Sequence, residues 1–281
     1  MCAAGLALLL VGLVSAQIDP ARARGAGRIA ALAPLSFAIP LAMFGAEHLS
    51  SPLALLGVVP MYMPGRMFWV YLVGMALIAS SLSIATWRLV RWSGLLVGAM
   101  MFLFVAMLHL PGAIASGGRI PWTIVFREVS FGGGAWVLAG TAMAGDRDGT
   151  GETLVTVGRV AIAVTALFFG VQHFLHPLGL PGVPLVKQMP PWVPLRPFLD
   201  YLTGAFLLAG GVWFLLARKT RTAAAYLGGW IVLLVVGIYG PVLIGALADP
   251  SASVQVEGAN YFADTLLFGG AILSLAGANR K

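Results

Sequence analysis

Few residues in this chain could do chemistry, and they sit at the ends of apolar runs. Glu47-His48 closes one run, His109 closes another, Arg127-Glu128 opens a third, and Arg66 begins a fourth. A second set repeats the pattern with Gln172-His173, Arg196, Tyr239 and Asp264, and His176 and Asp200 lie close by. Depth follows from about 1.5 Å of rise per helical residue, which puts His48 roughly 30 Å above Arg28 and His109 roughly 27 Å above Arg91. The two histidines therefore reach matching heights. The first set is expected to converge at one mouth of the molecule, with the second set as its counterpart.

Four chemistries can be weighed for such a mouth. Haem between His48 and His109 is disfavoured, because the second set has Tyr239 where the first has His109, and duplicated haem sites need an axial ligand on each face. A histidine–carboxylate metal site from Glu47, His48, His109 and Glu128 lacks HxH or HExxH spacing, so no metal is assigned. Proton conduction wants ionisable groups at mid-membrane, where these runs are bare. A quinone or other isoprenoid headgroup, hydrogen-bonded by histidine and arginine with its tail between helices, fits best. The competing reading makes Glu47 with Arg66 or Arg127 simple ion pairs, with the histidines bracing helix corners and Asp200 favouring a helix N-terminus.

The elements that must position these residues occur twice. Phe44-Gly45-Ala46-Glu47-His48 returns as Phe169-Gly170-Val171-Gln172-His173, and Tyr71-Leu72-Val73-Gly74 as Tyr201-Leu202-Thr203-Gly204. Tyr71 to Arg88 and Tyr201 to Arg218 both span 17 positions, and Arg88 to Pro111 and Arg218 to Pro241 both span 23. The match resumes at Phe131-Gly132-Gly133 against Phe268-Gly269-Gly270, so each half is a unit of four hydrophobic segments. Four is even, so the chain enters both units from the same side, which predicts parallel repeats about a pseudo-twofold along the membrane normal.

Composition supplies the environment. A chain of 281 residues that is 59% hydrophobic and 10% charged, with a mean hydropathy of +0.93, has too much apolar surface for one soluble core and belongs in a bilayer. The net charge of +7 sits at the ends of apolar runs, which points to lipid headgroups and topology rather than nucleic acid. Cys2 is the one cysteine, excluding disulfides and thiolate-ligated metal or iron–sulfur clusters within one chain.

Helix is the open-chain way to satisfy backbone groups in lipid, so the fold class is all-α and polytopic. Residues 1–18 read as a short first spanning helix, a cleaved signal sequence being the alternative. Spans follow at 29–49, 68–87, 93–115 and 122–144, then 157–175, 198–217, 223–248 and 261–278, about nine in all. They form a first four-helix unit over 28–144, a flexible linker at 145–156 and a second unit over 157–281. Alternating sides gathers Arg22, Arg24, Arg28, Arg88, Arg91, Arg147, Arg159, Arg218, Lys219, Arg221, Arg280 and Lys281, 12 of the 17 basic residues, on one face. That face is expected to be cytoplasmic in a bacterial inner membrane, with the mouths outside. The loops at 50–67 and 176–197, rich in Pro, Gly and Met, are expected to fold back as lids, with Trp69 and Trp192 at headgroup depth.

His48, the Val59-Pro60-Met61-Tyr62-Met63-Pro64 run, Gly74 and Arg88, repeated at His173, Met189-Pro190-Pro191, Gly204 and Arg218, resemble the DoxX family of small four-helix membrane proteins. The resemblance covers two fused copies from about Ile29 onward. It implies a membrane subunit beside other membrane or periplasmic redox proteins, since the family includes a subunit of a thiosulfate:quinone oxidoreductase. It carries no catalytic residue over to this chain, and a non-enzymatic subunit that scaffolds or anchors a partner is the alternative.

Overall fold

The computed structural model describes residues 26–278, so residues 1–18, Arg22, Arg24, Arg280 and Lys281 lie outside the described residues. Eight long helices make up the described chain: α1 Ala33–Ser50, α2 Arg66–Ala85, α3 Val90–Ser116, α4 Arg119–Ala142, α5 Thr150–Leu175, α6 Arg196–Leu215, α7 Thr220–Leu247 and α8 Ala252–Gly277. Short helical pieces at Ala26–Ala30 and Pro52–Leu56 flank α1. Seven of the eight are long and apolar enough to cross a membrane. The eighth, α4, has 24 residues but carries Arg127-Glu128 and three glycines in a row, which lower its hydropathy. The chain is an all-α, multi-pass membrane protein.

Local chemistry sets the helix ends. The α5 helix begins at Thr150, seven residues ahead of the start at 157 read from the sequence, so 150–156 is helix rather than flexible linker. Just ahead of it the Asp148 carboxylate accepts the Thr150 backbone N–H at 3.1 Å, an Asx-type turn that leads into the helix. That bond holds the Asp148 carboxyl below its ordinary pKa, so the turn's contribution is present above the usual aspartate range and is lost as pH falls below it. The α8 helix likewise starts at Ala252, nine residues before the expected 261, because Ser253, Gln255, Glu257 and Asn260 in its first turns break the apolar run without breaking the helix.

Both α3 and α7 widen into one π turn, at Val105–His109 and Val235–Tyr239. In each a proline follows two residues later, Pro111 and Pro241, and its ring would collide with the carbonyl four residues back in an unbroken α-helix. The extra residue in the turn relieves that clash and leaves His109 and Tyr239 as the last residues of their π turns.

The turns after α2 and α6 also match. Trp87 and Leu89 take φ of 55° and 58°, and Ala217 and Lys219 take 51° and 46°, left-handed values at non-glycine residues. Ala217→Gly removes a single methyl from such a site. An αL penalty of about 1–2 kcal/mol less glycine's entropic cost of about 0.4–1 leaves a net gain of about 0.5–1 kcal/mol, read as a raised Tm.

Packing runs α1 on α2, α3 on α4, α4 on α5, α5 on α6 and α7 on α8, with α8 returning to α1 and α4 meeting α8 at the centre. The last helix of each half thus closes the other half. Glycine makes these crossings close. A Cβ on Gly134 of α4 would lie 2.5 Å from the Ala271 Cβ of α8, and one on Gly270 would lie 2.9 Å from the Ser36 backbone of α1. A Cβ on Gly74 would lie 2.8 Å from the His48 Cβ, and one on Gly204 3.0 Å from the His173 Cβ. The repeated glycine therefore exists to let the repeated histidine's helix come near. Phe37, Phe131, Phe169, Phe214 and Phe268 fill the core between these contacts, fully or almost fully buried.

Candidate functional site

The polar residues collect at the end of the bundle opposite Arg88 and Arg218, around the meeting of α4 and α8. Arg127 is the hub. Its Nη1 donates to Asp264 Oδ2 at 2.6 Å and its Nη2 to Glu128 Oε1 at 2.9 Å. The Asp264 side chain is 3% exposed and that of Glu128 10%, so the pair is desolvated. Asp264 occupies in the second half the position that Arg127 holds in the first, and opposite charges at the matched positions meet across the centre. Arg127 Nε and Asp264 Oδ1 are buried without a hydrogen-bond partner among the described residues.

Glu47 reaches the same region from α1. Buried at 8% exposure, it accepts from Asn260 Nδ2 of α8 at a long 3.4 Å. His109 ends the π turn of α3, which packs on α4, the helix that carries Arg127 and Glu128. Glu47, His109, Arg127 and Glu128 are thus brought together, with Asp264 and Asn260 added from the second half.

His48 and Arg66 are tied to carbonyls of their own segments. The Nδ1 of His48 lies 2.8 Å from the Phe44 carbonyl of its own helix. A carbonyl only accepts, so Nδ1 carries the proton and Nε2 of the neutral ring is left as an acceptor. No partner meets that Nε2 among the described residues. Arg66 turns away from the mouth: its Nε donates to Val59 O at 2.9 Å and its Nη2 to Leu56 O, bracing the 50–67 loop. That loop lies largely exposed, with Met61 at 83% and Tyr62 at 70%.

The region around His173 is filled by the chain itself. His173 and Asp200 are buried at 1% and 0% exposure, with Nδ1 3.4 Å from Asp200 Oδ1. The 176–197 loop forms a small hairpin over them, paired by Leu180 N–H to Lys187 O at 3.1 Å and Met189 N–H to Leu178 O at 2.9 Å. From its tip, Gly182 N–H donates to His173 Nε2 at 3.0 Å, and Pro181 O accepts from the Tyr239 hydroxyl at 3.0 Å. Gly182 has φ +123° and a Cβ there would meet Thr265 Cγ2 at 2.9 Å, so glycine is required twice over. Arg119 Nη1 to Pro184 O at 2.9 Å and Lys187 N–H to the Tyr261 hydroxyl at 2.8 Å pin the hairpin's far side. A cleft of about 330 Å³ remains between hairpin and helices, lined in part by Arg119, His176 and Gln188.

Gln172 is half-buried, with its Oε1 unpartnered, and Arg196, at the first position of α6, makes no hydrogen bond among the described residues. Sequence reading overlooked Asn260 and the Pro181-Gly182 tip. The tip had a signal in the Leu180-Pro181-Gly182-Val183-Pro184 run, while Asn260 had none. Among the described residues no three His, Cys, Asp or Glu side chains gather as a metal-binding group. Compared with protein-family models, curated proteins and solved structures, the chain matches none.

Proposed function

We propose that the chain is a DoxX-like tandem duplication, two interlocked parallel four-helix units preceded by a further spanning helix, in the bacterial plasma membrane. Its first mouth binds the headgroup of a quinone-type or other isoprenoid amphiphile, as a membrane subunit of a redox assembly. The observation that supports this reading is His48, whose ring is tied by Nδ1 to Phe44 O, which leaves Nε2 without a partner among the described residues, beside a loop that is largely exposed. An acceptor nitrogen favours a hydroxyl, so the reduced quinol is the preferred form, with Glu47, His109 and Glu128 beside it as further polar partners. One observation favours a second reading, a non-enzymatic anchoring subunit: both Nη atoms of Arg127 are spent on carboxylates within the chain.

Lipid extraction followed by mass spectrometry of the purified protein separates the two. The first reading expects co-purified quinone or quinol, reduced about fivefold by His48→Ala for the loss of a hydrogen bond contributing about 1 kcal/mol, with folding retained. A larger complex whose mouths carry no isoprenoid, with His48→Ala silent, contradicts it and favours the anchoring subunit.

A further inference from the structure

The two mouths differ in what fills them. His173 and Tyr239 grip a single peptide unit, the one joining Pro181 to Gly182: the tyrosine hydroxyl donates to its carbonyl and the histidine Nε2 accepts its N–H, each at 3.0 Å. In a trans peptide these two groups point in opposite directions within one plane. The gripped object is thus a planar group with an acceptor on one edge and a donor on the other. Pro181 and Gly182 are buried, and Leu180 and Val183 on either side are 0% and 1% exposed, so nothing else shares the space.

The first half carries histidines at the two matched positions. His48 stands against Gly74 as His173 stands against Gly204, and His109 ends its π turn as Tyr239 ends the other. From His48 to Arg66 is 18 positions and from His173 to Arg196 is 23, so the first loop is five residues too short to build the hairpin. It stays exposed, and the His48 Nε2 keeps no partner among the described residues.

We propose that the second mouth is a site of the same kind held shut by the chain's own Pro181–Gly182 peptide. The first mouth takes from outside one planar group of matching pattern, with His109 donating to its acceptor edge and His48 Nε2 receiving its donor edge. The protein then binds one such group per chain. Both a quinol ring and a secondary amide carry this pattern, and the proposal rests on the quinone reading only for the first of them.

The test counts bound probe per chain on the full protein in nanodiscs, by native mass spectrometry, with a short-chain benzoquinol under reducing conditions and with an N-alkylacetamide. Three proteins are compared: wild type, a loop transplant in which residues 49–65 replace 174–195, and the transplant with His173→Ala. The expected counts are one, two and one. Gly182→Val gives the same opening without changing loop length, so the test survives a transplant that fails to fold. Two molecules on wild type, or one on both the transplant and Gly182→Val, overturns the plugged-site proposal while leaving the quinone reading standing. Amide bound with these counts and quinol unbound overturns the quinone reading and keeps the plug. Neither probe bound to any protein overturns both.

Discussion

Arg127→Ala will destabilise the protein by about 3–5 kcal/mol, the cost of breaking a buried ion pair from one side. Asp264, at 3% side-chain exposure, and Glu128, at 10%, would be left facing each other without a cation between α4 and α8. The two helices meet at the centre of the bundle, so the loss acts on the contact that joins the halves. Removing all three charges is cheaper than removing the cation alone, since an apolar or neutral set needs no counter-charge. Arg127→Met with Asp264→Leu and Glu128→Gln will therefore recover most of the loss, as will the double exchange Arg127→Asp with Asp264→Arg, which keeps a cation beside Glu128. Thermal unfolding in detergent checks this. A single substitution as mild as the double would mean the bridge is solvated.

Gly182→Ala is expected to be the second largest effect, and its ceiling is set by whichever response is cheaper. Holding the hairpin in place would force a left-handed φ on alanine, costing about 1–3 kcal/mol. The methyl would also be overpacked against Thr265 at a further cost of about 1–3 kcal/mol. Lifting the hairpin instead surrenders the bonds to His173 and Tyr239, each contributing about 1 kcal/mol, and leaves both side chains buried and unpaired. We expect lifting, at a loss of about 2–4 kcal/mol. Hydrogen exchange reads it directly: the Gly182, Leu180 and Met189 amides, all bonded in the closed form, will exchange faster while those of α5 keep their protection. Unchanged protection across 178–189 would contradict the hairpin's role as a plug.

Much of this architecture was legible from spacing alone. Hydrophobic runs bounded by arginine and proline place the long helices, and the repeated Gly74 and Gly204 turn out to sit against the repeated histidines. The starts of α5 and α8 were not legible, because polar first turns carry no apolar signal and only the Asp148 turn marks one of them. Nor was the packing of α8 on α1 and of α4 on α8. Spacing says which segments are alike but not which helices meet, and Arg127 finds Asp264 across 137 positions of chain.

The candidate site divides in the same way. Glu47, His109, Arg127 and Glu128 do draw together, whereas Arg66, chosen for its place beside the motif, faces the carbonyls of its own loop. Orientation of a long side chain depends on the nearest unsatisfied acceptors, and those of a proline-rich loop have few backbone donors to pair with. The plug in the second mouth follows from five additional residues whose meaning appears only when Gly182 is seen against His173.

Photo-labelling tests the central proposal, that the His48 end of the first half binds the headgroup, most directly. An azido derivative of a short-chain quinone, reduced and irradiated with the wild-type protein in nanodiscs, should label residues 44–50 of α1 and the π turn of α3 around 105–109, and His48→Ala should weaken that labelling about fivefold, corresponding to about 1 kcal/mol. Label scattered over lipid-facing positions, or concentrated at 173–182, or indifferent to His48, would contradict the account.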